Sequence, residues 1–189
     1  AGVSGSAVAL ELARRGWHTL TVDRLPRAGY GSTSASSAII RFNYSTAAGV
    51  AMAYEGLQYW LSWPEHIGDI GGQPLAEYVN QPMLLPKTPG GHHEKVLPLF
   101  DELGVRYEDL NADQTAARFP LVDLRIFGQP ARLDDADNPF WGEPDATHDG
   151  VIVMPEAGYI SDPQLAAQNL ATAAAAAGAE FRFRTEVAS

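Results

Sequence analysis

The chain contains no cysteine. Disulfides, thiolate catalysis, cysteine-ligated zinc and iron–sulfur clusters are therefore excluded within its 189 residues. Basic residues are scarce, with 13 Lys and Arg against 23 Asp and Glu and a formal charge of −10. That balance is poorly suited to a nucleic-acid backbone, which is gripped by clustered Lys and Arg, so no nucleic-acid partner is expected. No apolar run approaches the roughly 20 residues of a membrane helix, and no basic-then-apolar leader opens the chain, so a cytoplasmic setting without membrane contact is expected. Walker loop and serine nucleophile elbow are both missing. His18, His66, His92, His93 and His148 show no helical metal-ligand spacing and read as surface histidines. Asp134, Asp135, Asp137, Glu143, Asp145 and Asp149 lack the glycine and closing glutamate of a calcium loop and read as a solvated acidic stretch.

What is present is globular in composition and, at this length, one ordinary domain or a piece of a larger one. The chain opens on Ala1-Gly2-Val3-Ser4-Gly5, without a methionine. Gly2 and Gly5 match the second and third glycines of the dinucleotide fingerprint G-x-G-x-x-G, whose first glycine and preceding strand would fall before Ala1. The other end, Ala188-Ser189, follows a strand-like run with no stop signal, so a fragment of a longer protein is expected. Residues 5–15 read as a helix with Val8 and Leu12 on one face and Gly16 as its stop, followed by a strand at 18–22 that ends at Asp23. Further helices are expected at 46–62 (halted by Pro64), at 93–103 (stopped by Gly104) and at 111–119. Strands are expected at 83–85, 105–107 and 151–154, with a loop over 129–149. The last unit has Ser161 and Gln164 spaced as a capping box, a helix at 163–177, and a strand in which Phe181, Phe183 and Thr185 alternate with Arg182, Arg184 and Glu186. The alanine tract at 173–177 reads as ordinary helix.

Several residues carry candidate chemistry. Gly2 lets backbone N–H groups approach a pyrophosphate, Gly5 permits close packing of helix on sheet, and the helix N-terminus offers a positive dipole end. Asp23, 18 residues after Gly5, stands where a second-strand carboxylate meets a ribose hydroxyl, which favours NAD or FAD over NADP without choosing between them. Ser32, Thr33, Ser34, Ser36 and Ser37 suit phosphate or ribityl contacts, or else a solvated linker. Arg41 is a lone cation among Ile39, Ile40 and Phe42; such a guanidinium takes a carboxylate or phosphate ligand, or a structural ion pair. Tyr44 places a phenol near it.

On these residues the chain resembles the FAD-dependent amine-oxidising family of D-amino acid oxidase, glycine oxidase and sarcosine oxidase. The resemblance rests on residues 1–23, on Gly31-Ser32-Thr33-Ser34-Ala35-Ser36-Ser37-Ala38-Ile39-Ile40-Arg41-Phe42-Asn43-Tyr44, on Arg118-Phe119-Pro120 and on Gly158-Tyr159-Ile160-Ser161-Asp162-Pro163. It runs closest to the sarcosine oxidase and dehydrogenase branch. It implies an α/β, Rossmann-like FAD-binding fold, a doubly wound parallel sheet lacking its first strand, with part of an antiparallel α+β substrate domain inserted. The implied organisation is an FAD-binding unit at 1–45, an inserted segment at 46–150 and a return to the FAD-binding domain at 151–189. It also implies oxidation of the C–N bond of a small amino acid or amine by hydride transfer to flavin. Gly2 and Gly5 would cradle the pyrophosphate, Asp23 the ribose, Arg24 the adenine end, and Ser32, Thr33 and Ser34 the phosphates and ribityl chain. Val187 would meet the adenine through its backbone, and Arg41, with Tyr44 beside it, would grip the substrate carboxylate. Ala38 departs from the family by standing where sarcosine oxidases place a second arginine. A nicotinamide-dependent dehydrogenase and a non-catalytic fragment or subunit remain as alternatives. Residues 1–189 by themselves are expected to be poorly stable and inactive.

Overall fold

The computed structural model describes residues 1–128, 131–144 and 146–188. Gln129, Pro130, Asp145 and Ser189, which belong to the acidic stretch and the C-terminal run, lie outside the described residues. The chain forms an α/β fold in two compact units. The first comprises Ala1–Ile40, Ala53–Asn80 and Gly158–Ser189, and the second Arg41–Met52 and Gln81–Ala157.

The first unit begins with helix α1 (Val3–Arg14), which runs into strand β1 (Leu20–Val22). β1 pairs in parallel with β8 (Glu180–Arg182), reached through helix α6 (Pro163–Ala176). Parallel pairing with a helical crossover is the βαβ logic that the glycine turn implied. A separate antiparallel sheet places β7 (Gly158–Ile160) between β2 (Ile39–Ile40) and β3 (Tyr78–Asn80). Helices α1 and α6 pack along each other. Their contact is made by small residues: Ala9 and Ala13 from α1, and Ala166, Ala173 and Ala174 from α6, are buried in one core with Leu10 and Leu170. Part of the alanine tract is therefore interior surface, since alanine lets helices approach closely while costing no side-chain entropy.

Several sequence expectations shift here. Val8 is 58% exposed, and the buried stripe of α1 is Ser6, Ala9, Leu10 and Ala13. Asp162, not Ser161, caps α6, its carboxylate accepting from the Leu165 N–H at 2.9 Å. The Ser161 hydroxyl instead accepts from the Glu77 N–H across to β3's approach, at 3.0 Å. Pro64 does more than halt α2 (Ala47–Leu61): it sits in the first turn of a second short helix, α3 (Trp63–Ile67). Strand pairing of β8 ends at Arg182, short of the alternating run to Glu186.

On α3, the His66 ring meets Tyr59 edge-on at 4.9 Å and lies 5.7 Å from the Trp63 ring. Burial, and secondarily the Arg14 charge, hold the His66 imidazole below its ordinary 6.5. The folded state thus favours the neutral ring, and the unfolded chain takes up the proton first as pH falls below 6.5. Stability contributed by the neutral ring is therefore full at neutral pH and is lost as pH falls from 6.5 toward the lower folded value. The expected result is a urea midpoint that declines between about pH 8 and about pH 5, with His66→Phe removing part of that decline.

The second unit is built on an antiparallel sheet in which β6 (Gly150–Met154) lies between β4 (Met83–Pro86) and β5 (Glu108–Asn111). Every residue of β6 is buried, which explains its unbroken apolar run. The expected strand at 105–107 is displaced to Glu108–Asn111, where it gains a partner. Gly150 opens β6 at φ +132°, and a Cβ there would stand 2.1 Å from the Leu110 carbonyl oxygen, so only glycine fits. Helix α4 (His92–Leu103) ends on Gly104 in the left-handed conformation, as its sequence predicts. Helix α5 (Ala112–Arg118) is capped by Asn111, whose side chain accepts from Gln114 N–H while Gln114 returns the contact to Asn111 N–H. Pro139–Trp141 forms a short 3-10 turn within the acidic stretch, capped by Asn138. Among the described residues no helix is long and apolar enough to cross a membrane.

Candidate functional site

In the first unit the candidate cofactor residues gather at the start of α1. The Val3 N–H, the first of the helix, donates to the Thr33 hydroxyl at 3.1 Å. A Cβ on Gly2 would lie 3.0 Å from that same hydroxyl, so glycine is what lets the loop close over the helix end. Thr33 belongs to a run of turns in which Ser34 N–H donates to Gly29 C=O and the Ser34 hydroxyl to Gly31 C=O. Ser36 Oγ accepts from Ala38 N–H at 3.0 Å, and Ala38 adopts a left-handed φ of +52° before β2. The Ala38 carbonyl then accepts from Ile160 N–H, tying the hydroxyl-rich loop to β7. Val3, Thr33, Ser36, Ala38, Ile39 and Trp60 help line a cavity of about 210 Å³. Ser32 and Ser34 are exposed. A Cβ on Gly5 would meet nothing within 4 Å among the described residues.

At the end of β1, Asp23 accepts from Leu25 N–H at 2.8 Å. The Asp23 backbone is gripped on both sides, its N–H by Arg182 C=O and its C=O by Thr185 N–H. Val187 follows two residues after Thr185 and is 80% exposed; Arg24 is exposed as well. The structure therefore brings Gly2 and Thr33 together at one helix end, and Asp23 beside the segment leading to Val187.

An anion or diphosphate site fits this arrangement: a helix N-terminus of 12 residues, a glycine that a side chain would obstruct, a hydroxyl-bearing loop and a carboxylate at the neighbouring strand end. The model for the family described as "DAO: FAD dependent oxidoreductase" matches residues 1–189. The chain belongs to that family. This DAO-family chain is similar in fold to glycine oxidase from Geobacillus kaustophilus, with a TM-score of 0.68 at 21% identity over 98% of this chain and 45% of that one. L-proline dehydrogenase from P. horikoshii gives 0.72 at 20% identity over 99% and 43%. L-alpha-glycerophosphate oxidase from Mycoplasma pneumoniae, a structure with FAD bound, gives 0.64 at 17% over 98% and 43%. The chain spans less than half the length of these structures. Among curated proteins, none matches the sequence. FAD is the family's cofactor, which removes the ambiguity that the acid at position 23 leaves between FAD and NAD.

In the second unit, Arg41 and Tyr44 are both exposed, and the guanidinium lies 5.5 Å from the centroid of the Tyr44 ring. Among the described residues Arg41 makes no ion pair, so the structural salt bridge open to it from sequence is not formed. Tyr44 is set close against the start of α2, because a Cβ on Gly49 would stand 3.0 Å from the Tyr44 Cβ. That turn is in turn capped by Thr46, whose hydroxyl accepts from Gly49 N–H. His92, which the sequence presents as a surface histidine, contacts the Asn43 carbonyl through Nε2 at 2.8 Å. No spacing rule announces a side-chain bond to a backbone oxygen 49 residues away. Arg118, in the segment that carries part of the family resemblance, pairs with Glu108 and lies over Phe119 at 5.3 Å.

Proposed function

We propose that this chain is part of an FAD-dependent enzyme that oxidises the C–N bond of a small amino acid or amine, with a sarcosine-like secondary or tertiary amine as its substrate class. The observation carrying the substrate side is Arg41: an exposed guanidinium with no carboxylate partner among the described residues and a tyrosine ring beside it. A carboxylate is the ligand such a planar, permanently charged fork binds best. Bound FAD supplies the two-electron acceptor for the oxidation. Gly2, the N–H groups at the start of α1 and the Ser32–Ser34 hydroxyls hold the phosphates and ribityl chain. Asp23 and Arg24 would hold the adenosine, and the backbone at Val187 would meet the adenine. Arg41 takes the substrate carboxylate, while Tyr44 restricts the guanidinium to one side.

The visible spectrum of the intact protein tests this reading, before and after anaerobic addition of sarcosine. Flavin bands that bleach with sarcosine support the assignment. Bands that persist with sarcosine and other amino acids but bleach with an α-hydroxy acid would overturn the amine substrate, and a colourless protein unable to take up FAD would overturn the cofactor residues.

A further inference from the structure

We propose that His92 is a positioning residue for the carboxylate clamp, holding the backbone between Arg41 and Tyr44 by a hydrogen bond to Asn43. The inference rests on the role given to Arg41 above and adds the element that keeps the guanidinium in place. Arg41 and Tyr44 are exposed, yet the two residues between them are not: Phe42 is fully buried and Asn43 is 6% exposed. Tyr44 N–H donates to Phe42 C=O at 2.7 Å, folding these residues into a three-residue turn. Within that turn the Asn43 side-chain oxygen finds no donor among the described residues. The Asn43 backbone oxygen does have a partner, His92 Nε2 at 2.8 Å. A carbonyl only accepts, so Nε2 carries the hydrogen and the ring's tautomer is set.

The base that carries His92 is firm. His92 opens α4, whose Val96 and Phe100 are fully buried. The approach to α4 is closed by Gly91 N–H donating to Thr88 C=O at 2.7 Å and Gly90 N–H donating to Glu94 Oε1 at 2.7 Å. The imidazole therefore transmits the position of a buried helix to a turn that follows directly on Arg41 and ends on Tyr44. Without it, the turn loses its tie to α4, and the guanidinium samples a wider range of positions.

Steady-state kinetics of the FAD-loaded protein with sarcosine test this, using His92→Phe, which keeps ring volume and removes the donor, and His92→Gln, whose amide restores an N–H at the Nε2 position. The expected result is a KM for sarcosine raised about three- to tenfold by His92→Phe, the worth of one net hydrogen bond, with kcat nearly unchanged and His92→Gln close to wild type. In an Arg41→Ala background the His92→Phe effect should vanish, because nothing remains to be positioned. An unchanged KM in His92→Phe, or an equal effect with Arg41 already removed, would overturn the proposal. Should His92→Phe fail to fold, His92→Ala at this exposed position carries the same comparison. If Arg41→Ala itself leaves KM unchanged, the clamp reading fails; if Arg41→Ala raises KM while His92→Phe does not, only the positioning role does.

Discussion

Replacing Asn169 with leucine is expected to lower stability by about 3 kcal/mol or more, the largest loss predicted for a single side chain in the first unit. Asn169 lies on α6 and is fully buried. Its Oδ1 accepts from Ala76 N–H at 2.9 Å and from the Trp63 indole at 3.3 Å, and its Nδ2 donates to Pro74 C=O at 2.9 Å. One amide thus satisfies a backbone donor, a backbone acceptor and an indole brought from two other segments. Leucine is of similar bulk but offers no polar atom, so the Ala76 N–H and the Trp63 indole would be left buried and unpaired, at about 1–3 kcal/mol each before relaxation, and the part-buried Pro74 carbonyl would lose its donor. Urea unfolding of the two proteins, with fluorescence of Trp63 and its stacked neighbour Trp60 as the probe, reads the difference. A leucine variant within about 1 kcal/mol of wild type would mean that water reaches these groups.

Asn169 also shows where sequence reading stops. Helix limits were legible because their signals are local: Gly104 stops α4 in the left-handed conformation, and the 46–62 helix appears at Ala47–Leu61. The cap of α6 slipped by one residue, since Ser161 and Asp162 are both competent and the choice depends on Ser161 being needed at Glu77. The buried face of α1 was misjudged for a similar reason. Val8 and Leu12 share one apolar face, but the buried stripe of α1 is the one that carries Ala9, Leu10 and Ala13. Strand β5 moved to Glu108–Asn111 because register is set by pairing with β6, not by the run of apolar residues before it. At the candidate site, fingerprint spacing singles out Gly2 and Asp23 and the family resemblance names Thr33, but the Val3–Thr33 and His92–Asn43 bonds span 30 and 49 residues and no local pattern signals them.

Arg41→Ala is expected to reduce kcat/KM for a carboxylate-bearing amine about 100-fold or more. Two charge-assisted hydrogen bonds from one guanidinium, at about 1.5–3 kcal/mol each, set that scale. Most of the loss should appear in KM, since the carboxylate is bound alike in ground and transition states, with a smaller fall in kcat from poorer aim. Arg41→Lys keeps the charge but gives up the planar fork, so it should fall between, with KM up roughly tenfold. Neither change should loosen the flavin, because Asp23, Gly2 and the hydroxyl loop belong to the other compact unit. The flavin-to-protein ratio and kinetics with the same amine therefore separate substrate binding from cofactor binding. A lost flavin with an unaltered KM in the remaining holoenzyme would move Arg41 from the substrate to the cofactor. An unaltered KM with full flavin would leave the exposed guanidinium over Tyr44 without a part in substrate recognition.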